Sequence, residues 1–185
     1  MIARLNRRRA AALLAAALCW SGVAQAATDE AKAAYAQAKA HAAAAYQAAR
    51  AQCGAISGNP KAICIEEAKA ARVRVEQEAG AYYNNTLKAY TQSRMKIAAA
   101  TFELDKAKCG ALAGNARDVC ISEAKAALVA TQADAKADRK AIEARNDARD
   151  DKRTAQYQVA LEKCDAYAGA AKDRCVSSAK SQFVK

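Results

Sequence analysis

The chain has 185 residues, of which 53% are hydrophobic, and a formal net charge of +11 at pH 7. Alanine accounts for 55 residues, and residues 27–185 contain only 20 Leu, Ile, Val and Phe, about 13% of that segment. Packed domains contain roughly 20% or more of these four residue types. The composition therefore excludes a large deep core and a generic α/β enzyme, and its excess of Ala, Lys, Arg and Glu is typical of long helices.

The first 26 residues have the pattern of a cleaved secretory signal peptide. A cluster of arginines precedes a short apolar run over residues 10–18, and Ala24 and Ala26 are the small residues that a signal peptidase recognises. That run is too short to span a bilayer. We therefore expect a mature chain of residues 27–185 without a transmembrane segment, exported to a bacterial periplasm, with full secretion as the alternative.

Loss of this segment removes four arginines and leaves a mature net charge of +7, with both signs interspersed. The simple interpretation is a solvated helix surface. The alternative is attraction to an anionic partner such as lipopolysaccharide, anionic lipid or nucleic acid. Because no run of five like charges occurs, specific nucleic-acid binding is not expected.

One 17-residue motif occurs three times, at residues 53–69, 109–125 and 164–180. The copies begin 56 and then 55 residues apart, and six of the 17 positions are identical in all three. The identical positions include two cysteines in each copy, which form the pairs Cys53 and Cys64, Cys109 and Cys120, and Cys164 and Cys175. Such a repeat predicts one structural unit used three times.

The cysteine spacing predicts a chain reversal within each copy. In a straight helix the two cysteines would lie about 16 Å apart, whereas a disulfide needs Cα atoms within about 7 Å. Six cysteines in an exported chain indicate a disulfide framework, and the repeat favours bonds within each copy. Each bond closes a 12-residue loop, which the chain-entropy model values at about 3 kcal/mol.

Turn residues lie between the two cysteines of each copy. We assign Gly58, Asn59, Pro60, Gly114, Asn115 and Gly169 to the turns. The glycines suit a left-handed helix C-cap, the asparagines are predicted to cap the next helix, and the proline fits its first turn. Large residues flank each bend and are expected to pack across the hairpin; they are Ile56, Leu112 and Tyr167 before it and Ile65, Ile121 and Val176 after it.

Metal and redox chemistry are poor alternatives for these cysteines. Their spacing matches no common zinc pattern, His41 is the only histidine, and no Cys-x-x-Cys motif occurs. No serine, cysteine or carboxylate stands in a motif that implies an activated nucleophile. We therefore expect no catalytic residues, no metal and no cofactor, with His41 exposed on an alanine-rich helix.

The segments between the turns predict an all-α fold of elongated antiparallel hairpins with coiled-coil-like packing. Tyr83, Tyr90, Ile97 and Leu104 recur every seven residues, as do Ile121, Leu128, Ala135 and Ile142, which suits a narrow helix–helix seam. We favour four long helices in one domain over residues 27–185, with turns one and three at one end and turn two at the other. Residues 80–85 are the place where the second helix is expected to break, if it does, and 139–153 is charged on all sides.

The Ala/Lys-rich helical composition of residues 28–165 resembles the TolA-like exported proteins of the bacterial envelope. The resemblance implies a rod-like helical envelope protein, and this chain departs from it in its three cysteine-bounded turns. The twin Cys-x9-Cys proteins of mitochondria are also similar in using stapled helical hairpins, but the spacing here is ten.

Three functions fit these features. The first is a non-enzymatic periplasmic scaffold or interaction protein that presents basic and tyrosine-bearing faces to an envelope protein. The second is an ATP-independent chaperone that holds unfolded envelope proteins. The third is a binder of anionic envelope polymers, for which a steep salt dependence is expected. Self-association is compatible with each of them.

Overall fold

The computed structural model describes residues 22–183, with side chains from residue 29 onward. Most of the predicted signal peptide, residues 1–21, therefore lies outside the described residues. Within them the structure has five helices, α1 (Gly22–Cys53), α2 (Gly58–Asn84), α3 (Leu87–Cys109), α4 (Gly114–Cys164) and α5 (Gly169–Phe183). The predicted all-α fold of helical hairpins with three disulfide-closed turns is confirmed.

The chain divides into two compact units. Unit 1 extends to Thr131 and unit 2 begins at Gln132, so the boundary lies within α4. Unit 1 holds α1, α2, α3 and the start of α4, together with turn 1 (54–57) and turn 2 (110–113). Unit 2 holds the rest of α4, turn 3 (165–168) and α5.

In unit 1, α1 and α2 form an antiparallel hairpin. The Cys53–Cys64 disulfide closes it at turn 1. Farther along, the Arg72 guanidinium lies 5.5 Å from the Tyr46 ring centroid, and the rings of Tyr35 and Tyr83 stack with centroids 5.1 Å apart. These contacts pair residues at increasing distance from the turn on both helices, which defines the antiparallel pairing.

The second predicted helix is broken by three consecutive polar residues. Asn84 Nδ2 donates to the carbonyl of Gly80 (2.7 Å), and Asn85 adopts φ 45° while its N–H donates to Ala81 O. Thr86 then caps α3, because its Oγ1 accepts a hydrogen bond from Ala89 N (3.1 Å). An Asn C-cap followed at once by a Thr N-cap ends one helix and begins the next.

This break overturns the predicted arrangement of four long helices. The chain reverses at residues 85–86, α2 packs on α3, and turns 1 and 2 therefore meet at the same end of unit 1. The seven-residue series that starts at Tyr83 and continues to Tyr90 crosses the break, so it does not define one seam. Tyr83 belongs to α2 and stacks on α1. The break falls within one residue of the predicted range 80–85.

The interior is made of alanine and cysteine. The buried apolar side chains of the described residues are Ala42, Cys53, Ala68, Ala81, Ala98, Cys109, Ala135, Cys164 and Ala179. Burial of one methyl group contributes only about 0.8 kcal/mol, so each disulfide is worth several such contacts. The first cysteine of each pair is 0–1% exposed, so every disulfide has one fully buried sulfur next to its turn.

In unit 2, α5 folds back on the end of α4 through turn 3. The Tyr157 and Phe183 rings lie 6.4 Å apart in a tilted pair, at the far end of this short hairpin from Cys164–Cys175. The charged stretch 139–153 is helical throughout. Two ion pairs between residues one helical turn apart stabilise this stretch. They join Arg139 to Glu143 (2.7 Å) and Arg153 to Asp150 (2.9 Å), as expected for an exposed helix surface.

Candidate functional site

The three disulfides join the cysteines that the spacing predicts. Cys53 is bonded to Cys64, Cys109 to Cys120 and Cys164 to Cys175, with Cα–Cα distances of 5.7, 5.7 and 5.6 Å. Bonds of this kind persist in oxidising compartments and are rare in reducing ones. The disulfides thus indicate an extracellular or periplasmic environment for the folded chain.

The three turns share one backbone hydrogen bond and one left-handed glycine. The N–H three residues after the first cysteine donates to the carbonyl of that cysteine in each copy, from Ile56, Leu112 and Tyr167. Gly58, Gly114 and Gly169 have φ of 66°, 54° and 55°, in the left-handed region where a Cβ costs about 1–2 kcal/mol. The predicted left-handed glycines are therefore present, but each begins the following helix and does not cap the preceding one.

Asn59 does not cap α2, contrary to the prediction. The N-cap residue is Ser57, and the Asn59 side chain instead reaches turn 2. With the amide oriented to suit its neighbours, Nδ2 donates to Ala107 O (3.0 Å) and Oδ1 accepts from Ala111 N (3.2 Å). Asn59 thus joins the start of α2, next to turn 1, to turn 2 through two hydrogen bonds. Pro60 follows it in the first turn of α2, as predicted.

Gly110 marks the place where turn 1 touches turn 2. A Cβ on Gly110 would overlap the Asn59 side-chain amide and would lie 2.9 Å from Ala107 O. The contact between the two turns therefore requires glycine at position 110. The sequence pattern did not reveal this role, because a glycine next to a helix C-terminus has a sufficient local explanation.

The large residues before each bend do not pack across the hairpins. Ile56, Leu112 and Tyr167 are 41, 44 and 56% exposed, so that part of the prediction is wrong. Their partners after the second cysteine, Ile65, Ile121 and Val176, are half-buried. The tip of each turn thus carries one apolar side chain that faces solvent.

The end of unit 1 opposite turns 1 and 2 carries a cluster of tyrosines, here called the tyrosine end and consisting of Tyr35, Tyr82, Tyr83 and Tyr90. Tyr35 and Tyr83 stack, the Tyr90 hydroxyl donates to Asn85 Oδ1 (3.5 Å), and Lys39 Nζ lies 5.4 Å from the Tyr35 ring centroid. Tyr82 is 77% exposed, whereas Tyr83 and Tyr90 are about half as exposed, at 40 and 42%.

The tyrosine end combines apolar ring surface with hydroxyl and amide groups on a fixed backbone. Tyrosine offers a large, rigid contact area with few torsions to order and a hydroxyl for hydrogen bonding. The Asn–Asn–Thr break holds these rings at a helix reversal, so their backbone positions are set by two helix caps. The surface is suited to contact with a partner chain or polymer.

Unit 2 has an open groove of about 800 Å³ between α4 and α5. Its floor includes the Cys164–Cys175 disulfide, and its walls include Val159 and Phe183, with Lys163 and Gln156 as polar members. Val159 is 50% exposed. The alanines that line the groove, Ala155, Ala160 and Ala179, fill little space.

Within residues 22–183 no group of three or more His, Cys, Asp or Glu is placed to hold a metal ion. His41 is exposed on α1, as predicted. The Asp165 carboxylate accepts a hydrogen bond from Lys172 Nζ (2.8 Å). That hydrogen bond and the opposite charge raise the pKa of Lys172 above its ordinary value.

No helix in the described part of the chain combines the length and the apolar character that crossing a bilayer requires. Comparison with known proteins gives no relative: no protein family, no curated protein and no solved structure matches this chain. The fold and the turns define it as an all-α protein of disulfide-closed helical hairpins.

Proposed function

We propose that the chain is a non-enzymatic interaction protein of the bacterial cell envelope, which acts in the periplasm after removal of residues 1–26 and binds a partner protein through the tyrosine end. The observation that carries the proposal is the exposure of Tyr82, at 77%, beside rings that are held by stacking and by helix caps. Exposed aromatic clusters on rigid supports are typical of binding surfaces.

The three disulfides support the choice of compartment, because the oxidising periplasm maintains such bonds. The TolA-like composition supports a place in the envelope. The mature charge of +7 and the lysine beside the tyrosine end, Lys39, favour a partner whose contacting surface carries negative charge. Such complementarity raises the association rate more than the final affinity.

A photo-crosslinking amino acid at position 82, followed by capture of the protein from the periplasm, tests this proposal. The matched control carries the same group in place of Ala148, an exposed α4 residue of unit 2. We expect a discrete crosslinked partner from position 82 and none from position 148. Identical products from both positions, or none from position 82, would contradict binding through the tyrosine end.

A second candidate, an ATP-independent chaperone, is favoured by the groove between α4 and α5. Its apolar walls and the half-exposed Val159 suit short apolar segments of an unfolded client. An aggregation assay with an unfolded envelope protein tests it, with Val159→Glu as the variant that should weaken protection. No suppression at stoichiometric amounts of the natural protein would remove this candidate.

Capture of the protein from the periplasm also tests a third candidate, a binder of anionic polymers. Its affinity would fall steeply with salt, because each neutralised anionic group releases bound counterions. Capture of a lipopolysaccharide or another anionic polymer that persists unchanged at high salt would speak against this candidate.

A further inference from the structure

The contact between turn 1 and turn 2 is made once within the chain, although the residues that make it occur twice. The second-copy equivalent of Asn59 is Asn115, and the first-copy equivalent of Gly110 is Gly54. Asn115 is exposed, and its side chain makes no hydrogen bond among the described residues. A Cβ on Gly54 would meet only the backbone of Ala51 in its own helix, whereas one on Gly110 meets Asn59.

The backbone around Gly54 matches that around Gly110. The hydrogen bonds that shape the two surfaces are Gly54 N to Ala51 O (3.0 Å) and Ala55 N to Gln52 O (3.2 Å) in turn 1, and Gly110 N to Ala107 O (3.0 Å) and Ala111 N to Lys108 O (3.2 Å) in turn 2. Turn 2 receives Asn59 on this surface. Turn 1 presents the same surface to solvent.

The helix faces next to these turns repeat the pattern. On α2 the face that continues from Asn59 is half-buried throughout, at positions 59, 63, 66, 70 and 73. On α4 the equivalent positions 115, 119, 122, 126 and 129 are all exposed. Val119 and Val129, at 46 and 55% exposure, thus stand where Ile63 and Val73 are partly covered.

The opposite side of the contact shows the same difference. On α3 the face that leads to Ala107 is half-buried at Ala100, Leu104 and Ala107. Its equivalents on α1 are Ala44, Ala48 and Ala51, and all three are exposed. An exposed stripe of alanines at positions i, i+4 and i+7 allows close approach of a helix that carries larger residues.

The third copy lacks both halves of the contact. Asp165 replaces the glycine and Ala170 replaces the asparagine. The two residues are therefore present together in copies 1 and 2 and missing together in copy 3. Within one chain, however, only Asn59 and Gly110 form the contact. The asparagine surface at the start of α4 and the glycine surface at the end of α1 are left without such a partner.

We propose that a second copy of this chain uses the two remaining surfaces, with Asn115 and the 119–129 face of α4 in one molecule packed on Gly54 and the Ala44–Ala48–Ala51 face of α1 in the next. This contact continues the α2–α3 packing. The polarity agrees, because α1 ends and α4 begins at the end of unit 1 where α3 ends and α2 begins. The contact joins unlike surfaces, so it closes a ring or extends a row of molecules.

The molar mass of the exported, disulfide-bonded protein, measured by sedimentation over a range of concentrations, tests the proposal. We expect a mass that rises with concentration to a multiple of the monomer. Val119→Glu and Ala48→Glu, one on each surface, are each expected to raise the dissociation constant by about tenfold or more, as substitutions at the centre of an interface do. Ala148→Glu, an exposed alanine of unit 2, is the matched control and should leave the mass unchanged.

A charge pair tests the register of the contact. Ala48 is equivalent to Leu104 and Val119 to Ile63, two positions that an antiparallel α2–α3 pairing sets opposite each other. The double variant Ala48→Glu with Val119→Lys should therefore recover most of the association that Ala48→Glu alone and Val119→Lys alone each lose, while far-UV circular dichroism shows unchanged helicity in all of them. A monomeric mass at every concentration, or an oligomer that neither single variant weakens, would overturn the proposal. Binding at the tyrosine end does not depend on this contact, so a monomer that still crosslinks from position 82 separates the two proposals.

Discussion

Turns 1 and 2 in unit 1 and turn 3 in unit 2 come from one repeated motif but are stabilised differently. Turn 2 is hydrogen-bonded by the side chain of Asn59, which lies in the first turn of α2 next to turn 1. Turn 3 has neither the glycine nor the asparagine for such a contact, and its Asp165 instead forms an ion pair with Lys172 of α5. The disulfide is thus common to all three hairpins, whereas the asparagine and the glycine are used only where two hairpins meet in unit 1.

The largest expected effect is the loss of a disulfide, and it should differ between the units. Cys164→Ala with Cys175→Ala removes about 3 kcal/mol in the chain-entropy model from a hairpin whose second helix has 15 residues. We expect α5 to exchange its amide hydrogens as an unfolded segment. Cys53→Ala with Cys64→Ala opens a loop of the same length, but α2 keeps its packing on α3, so its amides should remain protected. Equal loss of protection in both would show that turn docking adds nothing.

Gly110→Ala should destabilise unit 1 by about 1–3 kcal/mol, as overpacking of a closed contact does, because the new Cβ overlaps the Asn59 side chain. Gly54→Ala is the matched control, since its Cβ meets only the Ala51 backbone. Urea unfolding of both variants measures the difference. Asp165→Ala at the equivalent place in turn 3 should lie within about 0.5 kcal/mol of the natural protein.

Thr86→Ala should cost about 1 kcal/mol, the usual value of a threonine N-cap, because Ala89 N loses its acceptor. Its effect is confined to unit 1, where the cap helps the chain to reverse. The equivalent of Asn85 and Thr86 in the next copy is Ala141 and Ile142, and α4 continues through them. Thermal unfolding followed by circular dichroism measures the change, and an unchanged midpoint would mean that the reversal does not depend on the cap.

The smallest expected effect concerns the charge pair of turn 3. The pKa of Lys172 is raised by the hydrogen bond to Asp165 and by its charge, so the pair stabilises turn 3 below the ordinary lysine pKa, and this contribution is lost as the pH rises through the raised value. Asp165→Asn should return the pKa of Lys172 towards its ordinary value, measured by the titration of its side-chain resonances. Lys61 and Lys172 occupy equivalent positions, and Lys61 serves as the internal control because Gly54 replaces the carboxylate.

Much of this fold follows from the sequence, and the exceptions have physical reasons. The cysteine spacing alone dictates chain reversal, since a disulfide is incompatible with ten intervening residues of straight helix. The reversal at Asn85 and Thr86 required recognition of adjacent C-cap and N-cap residues, and a seven-residue tyrosine pattern that happens to cross them favoured continuity. The role of Asn59 was not predictable from local pattern, because a residue suited to capping its own helix is equally suited to bonding a neighbouring turn. The exposure of Tyr82 likewise depends on which face of α2 is covered.

The alanine and cysteine interior has a consequence for how the protein responds to heat. Heat capacity rises on unfolding in proportion to the apolar surface that becomes exposed, and an interior without a buried Leu, Ile, Val or Phe among its described residues exposes little of it. The stability curve should therefore be shallow, with little cold denaturation. Thermally unfolded chains would expose few large apolar side chains to one another. The three disulfides would keep the two ends of each turn close together in the unfolded chain. Reversible melting without precipitation is the behaviour that such an interior implies.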